Sequence, residues 1–376
     1  MDHGGELVNL LVTTGEQSGD FQASLLLEEI KKVEPSAEFW GIGGDKLRAC
    51  GMDVVVDIAD MAAMGISDVA KKLFFYKKIL SEIVSEFKRR ESDGAILVDF
   101  PGFNLRLASK LHKLGAKVIY YISPQVWAWG EGRVKRIKRY VDRMICILPF
   151  EPEFYAAHGV EASYVGHPLY DVVKPECDEG EFREAIGHRG RFLVMMPGSR
   201  EAEVRRLLEL MIDVVSVLRL KHKELIGVIP VARNVKGLFE KISLPDFVVT
   251  VDGLTYSAMA YADAGLIASG TAVLEAMLLG LPAVVVYRVD PLSWYLGRLL
   301  IKTRYFAIAN IIAGEEVLPE FIQRIPKWKV IKAVDELLSD REKNMRLRKK
   351  LLSLRDLLGP KGAAGRAAKI VAELFR

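Results

Sequence analysis

Asp99 is the residue best placed for acid–base chemistry. It follows the apolar run 95–98 and precedes Phe100-Pro101-Gly102-Phe103-Asn104. In open parallel sheets, ligands bind beyond the carboxyl ends of the strands, so a carboxylate on such a turn suits a general base. Helix capping or a structural hydrogen bond is the competing use of an Asp at that place. An earlier turn reads Gly15-Glu16-Gln17-Ser18-Gly19-Asp20. Its glycines let the backbone approach a ligand, and the helix that follows offers free N–H groups. It is neither a GxGxxG fingerprint nor a phosphate loop, and Asp20 equally suits a helix cap. The loop Ile122-Ser123-Pro124-Gln125-Val126-Trp127-Ala128-Trp129 carries two indoles, suited to lining a sugar or acyl site or to packing beneath the loop.

A second group of residues suits a nucleotide. Pro197-Gly198-Ser199-Arg200 joins a glycine turn, a helix start and a guanidinium, a combination that fits a pyrophosphate or a structural arginine near the linker. Ser269-Gly270-Thr271 would admit phosphate oxygens to another helix start, and Glu275 lies one turn along, where a carboxylate accepts hydrogen bonds from ribose hydroxyls. No two aspartates are spaced Asp-x-Asp, and the six histidines show no close ligand pairing. The expectation is therefore no metal and no cofactor, with the leaving group met by Arg200 and helix N-termini, so that turnover survives chelation.

The elements that position these turns alternate strand and helix. Strands are expected at 7–13, 95–98, 118–122 and 144–148, with helices at 21–33 and 104–114. Residues 168–190, with Pro175, Gly180, Gly187, Gly190 and many charges, read as a linker. A second series follows, with strands at 192–196, 227–231, 248–251, 266–268 and 283–287. Residues 327–376 read as helical, with a break near Gly359-Pro360. Parallel βαβ units in two halves are the implied fold.

A chain of 376 residues has length for two such domains, and 50% hydrophobic with 27% charged residues is a globular composition. The formal net charge of +4 is too small to imply nucleic acid. Basic residues cluster locally: residues 71–90 hold seven against two acidic, and residues 341–361 hold eight against two. Cys50, Cys146 and Cys177 match no zinc or redox spacing and suit reduced thiols. The start of the chain, with Asp2 and Glu6, does not read as a signal peptide, and no apolar stretch nears the ~20 residues of a spanning helix. Contact with a membrane would be peripheral. The helix expected over 66–87 places Ile66, Val69, Leu73, Leu80, Val84 and Phe87 on a core stripe. Phe75 then projects outward beside Lys71 and Lys78, with Phe74 on its flank, an arrangement suited to an interfacial helix. A break in the helix near Lys72 would instead bury both phenylalanines.

Ten segments in order give the chain a resemblance to the lipid-A-disaccharide synthases. They are Gly15 to Asp20, Gly41-Ile42-Gly43-Gly44, Met64-Gly65-Ile66, Asp99 to Asn104, Ile122 to Trp129, Leu148-Pro149-Phe150-Glu151, Gly166-His167-Pro168, Pro197 to Arg200, Ser269 to Glu275, and Ala309-Asn310-Ile311-Ile312-Ala313-Gly314. Gln17 stands where the family commonly has Ala. The resemblance implies a GT-B type α/β fold of two Rossmann-like domains facing a cleft. It implies an acceptor and membrane-binding domain over 1–170, a UDP-sugar domain over 190–345, and helices over 346–376 that pack back on the first domain and swap between protomers of a homodimer. It implies transfer of 2,3-diacylglucosamine from its UDP derivative to 2,3-diacylglucosamine 1-phosphate (lipid X), with inversion, on the cytoplasmic leaflet of the inner membrane. Asp99 matches the family's base. Gly198, Ser199, Arg200, Ser269, Gly270, Thr271, Glu275 and Asn310 would hold UDP. Gly15, Glu16, Ser18, Gly19, Asp20 and Trp127 would shape the acceptor side, and Lys71, Phe74, Phe75 and Lys78 would meet the membrane. UDP-N-acetylglucosamine 2-epimerases, or a non-catalytic sensor of nucleotide sugars, are the rival readings.

Overall fold

The computed structural model describes residues 8–63, 69–128, 130–291, 294–295 and 303–375. Met64-Gly65-Ile66, Trp129 and the Lys71 side chain lie outside that description. The chain forms two compact units: residues 1–171 with 358–376, and residues 172–357.

The first unit is built on seven parallel strands: β1 (Asn9–Thr13), β2 (Glu38–Gly43), β3 (Asp53–Asp57), β4 (Gly94–Val98), β5 (Lys117–Tyr121), β6 (Arg143–Cys146) and β7 (Ala162–Tyr164). Their order in the sheet is β3-β2-β1-β4-β5-β6-β7. Runs such as Ala95-Ile96-Leu97-Val98 are wholly buried, as a sheet covered by helices on both faces requires. The connections carry α1 (Gln17–Val33), α2 (Asp45–Ala49), α3 (Ile58–Ala63), α4 (Val69–Arg89), α5 (Pro101–His112), α6 (Val134–Tyr140), α7 (Glu151–Ala157) and α8 (Leu169–Val172).

The second unit holds six parallel strands: β8 (Phe192–Met196), β9 (Ile226–Pro230), β10 (Val248–Val251), β11 (Ala264–Ala268), β12 (Ala283–Tyr287) and β13 (Glu320–Ile322). The order is β10-β9-β8-β11-β12-β13. Its helices are α9 (Glu179–Ala185), α10 (Glu201–Leu218), α11 (Lys236–Phe239), α12 (Thr255–Tyr261), α13 (Thr271–Leu279), α14 (Ile308–Ala313), α15 (Lys327–Ser339) and α16 (Arg341–Ser353). The final helix, α17 (Ala363–Phe375), belongs to the first unit.

Each sheet reverses its strand order once at its centre, between β1 and β4 in the first and between β8 and β11 in the second. Such a switch point opens a crevice at the carboxyl ends of its two strands. The turns after β1 and β4 are Gly15 to Asp20 and Asp99 to Asn104; those after β8 and β11 are Pro197 to Arg200 and Ser269 to Thr271. Four of the turns singled out for chemistry thus sit at the two switch points.

Three expectations need correction. The passage between units does fall within 168–190, after Asp171, but residues 172–190 belong to the second unit. Asp178 and Glu181 form a reciprocal capping box at the start of α9, and Phe182 is fully buried against Phe192 and Tyr261. Proline, glycine and charge marked the exposed side of this segment, while one phenylalanine anchors the other.

The C-terminal helices also divide later than residue 346. α16 stays in the second unit, with Leu351 buried and Asn344 donating to the carbonyls of Asp263 (2.8 Å) and Leu337 (3.0 Å). Only residues from 358 on join the first unit, where Ala363, Ala367, Ala368 and Val371 of α17 are buried. The Asp171 carboxylate accepts from the N–H groups of Gly362 (2.8 Å) and Ala363 (3.1 Å) at the start of that helix.

The phase of α4 differs as well. Ile79, Leu80, Ile83 and Phe87 are buried, with Phe75 and Tyr76 packed beside them. Leu73 is 46% exposed and Phe74 73%. Once Ile79 and Ile83 face inward, Phe75 and Tyr76 follow one turn earlier, and Leu73 is carried outward. The outward apolar pair is therefore Leu73 and Phe74, not Phe74 and Phe75. Lys78 is exposed and lies 3.7 Å from Glu82.

Candidate active site and nucleotide site

In the first unit, the turn after β4 is strained and tightly held. Asp99 (φ 44°) and Phe100 (φ 49°) are consecutive left-handed residues, and neither is glycine. Asn104, fully buried on α5, donates to the carbonyls of Val98 (3.2 Å) and Asp99 (2.9 Å). Its own oxygen accepts from the Thr13 hydroxyl at 2.7 Å, and the Tyr120 hydroxyl donates to the Asp99 carbonyl at 2.5 Å. With its backbone fixed this way, Asp99 presents a solvent-accessible carboxyl. The protein crowding that carboxyl and the nearby Glu16 carboxylate push its pKa up to about 6.

The Gly15 turn faces the same place. A Cβ on Gly15 would lie 2.3 Å from the Phe100 ring, and one on Gly19 would lie 2.2 Å from the Thr14 hydroxyl. Both positions need glycine for close approach. Phe100 stacks on Phe103, with Tyr76 at its edge. Glu16 is exposed and Ser18 half-buried at the start of α1. Asp20 is not available to a ligand: it is buried and accepts from the N–H groups of Gly44 (2.6 Å), Lys46 (2.9 Å) and Leu47 (3.4 Å), capping α2. A cap was one of its two sequence readings, but on a helix distant in sequence. Trp127 is half-buried, donates to Glu151 at 3.1 Å and meets the Phe150 ring edge-on.

In the second unit, Gly198 (φ 118°) opens the turn that leads into α10. Glu203 folds back over this turn and accepts from the N–H groups of Ser199 (3.2 Å) and Arg200 (3.4 Å). It also pairs with the Arg200 guanidinium at 3.1 Å, and Asn234 donates to the Ser199 carbonyl. Gly270 and Thr271 are exposed at the start of α13, beside a half-buried Ser269. Glu275 accepts from the Tyr256 hydroxyl at 3.3 Å, and burial pushes its pKa up to about 7. Asn310 departs from expectation. It is fully buried: its amide donates to the Leu318 carbonyl (2.8 Å), and its oxygen accepts from the N–H groups of Val317 (2.9 Å) and Leu318 (2.8 Å). It shapes the 317–318 loop and has no group left over for a nucleotide.

Sequence reasoning missed Thr13, Tyr120, Glu203 and Tyr256. Thr13 and Tyr120 lay inside strands that read as core, and Tyr256 reaches Glu275 from a different helix, so local spacing carried no signal for them.

Arg200, the Ser269 to Thr271 turn and Glu275 thus share one switch point, and an acid–base carboxylate with the Gly15 turn shares the other. A pair of doubly wound units so equipped defines the class of two-Rossmann-domain enzymes that act on sugar nucleotides. Within it, residues 10–370 match the family described as lipid-A-disaccharide synthetase, and the chain belongs to that family. It is 39% identical over 374 residues to the lipid-A-disaccharide synthase of Syntrophus aciditrophicus, covering 98% of both chains. It is likewise 39% identical to that of Myxococcus xanthus, covering 97% of both. The chain is a glycosyltransferase of lipid A biosynthesis. The structure of a Neisseria meningitidis UDP-GlcNAc 2-epimerase bound to UDP-GlcNAc is similar in fold, with a TM-score of 0.67 at 12% identity over 98% of this chain and 99% of that one. At that identity the likeness is one of architecture, and the epimerase reading of the sequence is not favoured.

Proposed function

We propose that Asp99 is the general base of an inverting transfer from UDP-2,3-diacylglucosamine to 2,3-diacylglucosamine 1-phosphate. Its carboxylate takes the proton of the acceptor 6-hydroxyl as that oxygen bonds to the donor's anomeric carbon. The bond from that carbon to the diphosphate breaks, and the electron pair leaves with UDP. The product is the β-1,6-linked tetraacyl disaccharide 1-phosphate. The observation that carries this reading is the doubly left-handed turn at Asp99 and Phe100, held from β1, β5 and α5. Strain of this kind persists where the surroundings over-determine it, and it gathers at functional sites.

Gly198, Ser199, Arg200 and the Ser269 to Thr271 turn would meet the diphosphate, and Glu275 the ribose. Gly15, Glu16, Ser18, Gly19 and Trp127 would shape the acceptor side. Because both substrates carry acyl chains, the protein would work against the cytoplasmic leaflet, with Leu73 and Phe74 in the bilayer interface and Lys78 near anionic headgroups. Among the described residues no helix is long and apolar enough to cross a membrane. Exchange of α17 between two copies belongs to the same reading, since that helix follows Gly359 and Gly362, both at positive φ.

The test is UDP release from diacylated UDP-glucosamine with and without the diacylglucosamine 1-phosphate acceptor. Release should require acceptor. Asp99→Asn should lose about 10²–10⁴-fold in rate while still binding UDP. Near-normal turnover by that variant, or release that ignores the acceptor, would sink the assignment.

A further inference from the structure

Glu151 opens α7 and is 1% exposed, yet four donors converge on it. The Ser123 hydroxyl (2.6 Å) and the Trp127 indole N–H (3.1 Å) donate to Oε1. The N–H groups of Ile147 (3.2 Å) and Leu148 (3.0 Å) donate to Oε2. Three of the four, the indole and the two backbone N–H groups, can only donate, so the set favours the carboxylate form, against burial that pushes the Glu151 pKa up to about 7. One side chain therefore ties the loop after β5 to the loop after β6.

The loop after β5 needs such a tie. Its first residue, Ile122, is left-handed at φ 62°, a conformation that a β-branched residue rarely adopts. The residue that follows is Ser123, bonded to Glu151. Further along, the Trp127 ring is held by its N–H on Glu151 and by edge contact with Phe150 at 4.8 Å between centroids. Trp127 stays half-buried, so part of the indole remains open. β5 pairs with β4 in the register Val98 to Tyr121. The Trp127 loop therefore leaves the sheet beside the Asp99 turn, and Tyr120 of the same strand bonds the Asp99 carbonyl.

From this geometry we propose that Glu151 is a positioning residue for the acceptor sugar: through Ser123 and Trp127 it fixes the indole platform next to the base. The proposal rests on the reading of the first unit as the acceptor side, and it adds to that reading a residue that touches neither substrate. Glu151 acts on binding of the acceptor, not on the proton transfer or on UDP.

Steady-state kinetics with varied acceptor, alongside UDP affinity by calorimetry, test this. In Glu151→Gln the amide –NH₂ faces a donor whichever way it turns, so one of the two loops loses its acceptor atom. The acceptor KM should rise about tenfold or more, the scale of one hydrogen bond to a charged group. The kcat should change by less than about threefold, and UDP affinity should not change. Trp127→Phe, which removes the indole N–H, should raise the same KM. The double variant should then be no worse than the worse single one, as expected of two residues acting through one contact. If Glu151→Gln does not fold, Ser123→Ala and Trp127→Phe take its place and should show the same KM effect and the same non-additivity. An unchanged acceptor KM, a fall in kcat alone, or effects that simply multiply would overturn the proposal. Absence of acceptor-dependent UDP release in the unsubstituted protein would overturn the reading of the reaction, and this inference with it.

Discussion

A carboxylate works as a base only when it is ionised and held near its proton, and the surroundings of Asp99 bear on both conditions. Three side chains fix its backbone, while crowding and the Glu16 carboxylate raise its pKa to about 6. The base is protonated below that pH. kcat/KM should therefore fall about tenfold per pH unit below about pH 6 and level off above it. Glu16→Gln removes the neighbouring negative charge, which lowers the Asp99 pKa and should move the acid limb to lower pH. A limb that stays in place in that variant would mean that a different group sets it. The sign for stability is the opposite of the usual carboxylate case. With its folded pKa raised, the native state binds more protons than the unfolded chain between about pH 4 and 6, and stability is lost as pH rises through that window. Asp99→Asn should accordingly melt no lower than the parent at pH 7, even as it loses activity. Asp20 makes the contrasting case. The same residue type, also on a turn at the switch point, is spent on three backbone N–H groups of a neighbouring helix.

Among the elements, legibility followed burial. Strands such as β4, β8 and β12 are apolar runs bounded by turn residues, and their positions could be read directly. β2 went unread because Gly41 and Gly43 interrupt it, and β7 and β13 because each has only three residues. α4 was read as a helix with Leu80, Val84 and Phe87 correctly inward, but with Leu73 and Phe75 exchanged at its start. Apolar residues crowd its first turns, and only packing decides that Phe75 and Tyr76 face the core while Leu73 and Phe74 face out. This yields a test in which neighbouring residues behave oppositely. Leu73→Ser with Phe74→Ser should lower binding to anionic vesicles, leave the melting temperature near that of the parent, and leave UDP affinity intact. Phe75→Ser should cost about 1–3 kcal/mol of stability instead, since its ring packs on the core. Unaltered vesicle binding by the double variant would place the membrane contact elsewhere.

Across the whole molecule, the two-unit plan was legible because the βαβ series restarts near residue 192, but the return of the chain to its first unit was not placed correctly. The break read near Gly359-Pro360 lies where the chain changes partner, but the mixed charge of the last helix does not say which unit receives it. The sign is tertiary: Ala363, Ala367 and Ala368 are small enough for close approach to α1, and the Phe375 ring fills the space over Gly94. A C-terminal helix is therefore part of the core that supports the Asp99 turn, while the nucleotide turns lie in a unit that does not include it. Ala367→Asp should place an unpaired carboxylate where no side chain is exposed, at a cost of about 3 kcal/mol or more. The thermal transition of the first unit should fall, and transfer activity with it. UDP should still bind, and should still raise the melting temperature of the second unit by mass action. Scanning calorimetry with and without UDP separates the two. If the variant lowers both transitions equally and abolishes the shift caused by UDP, the units fold as a single cooperative body, and α17 supports the nucleotide site as much as the base.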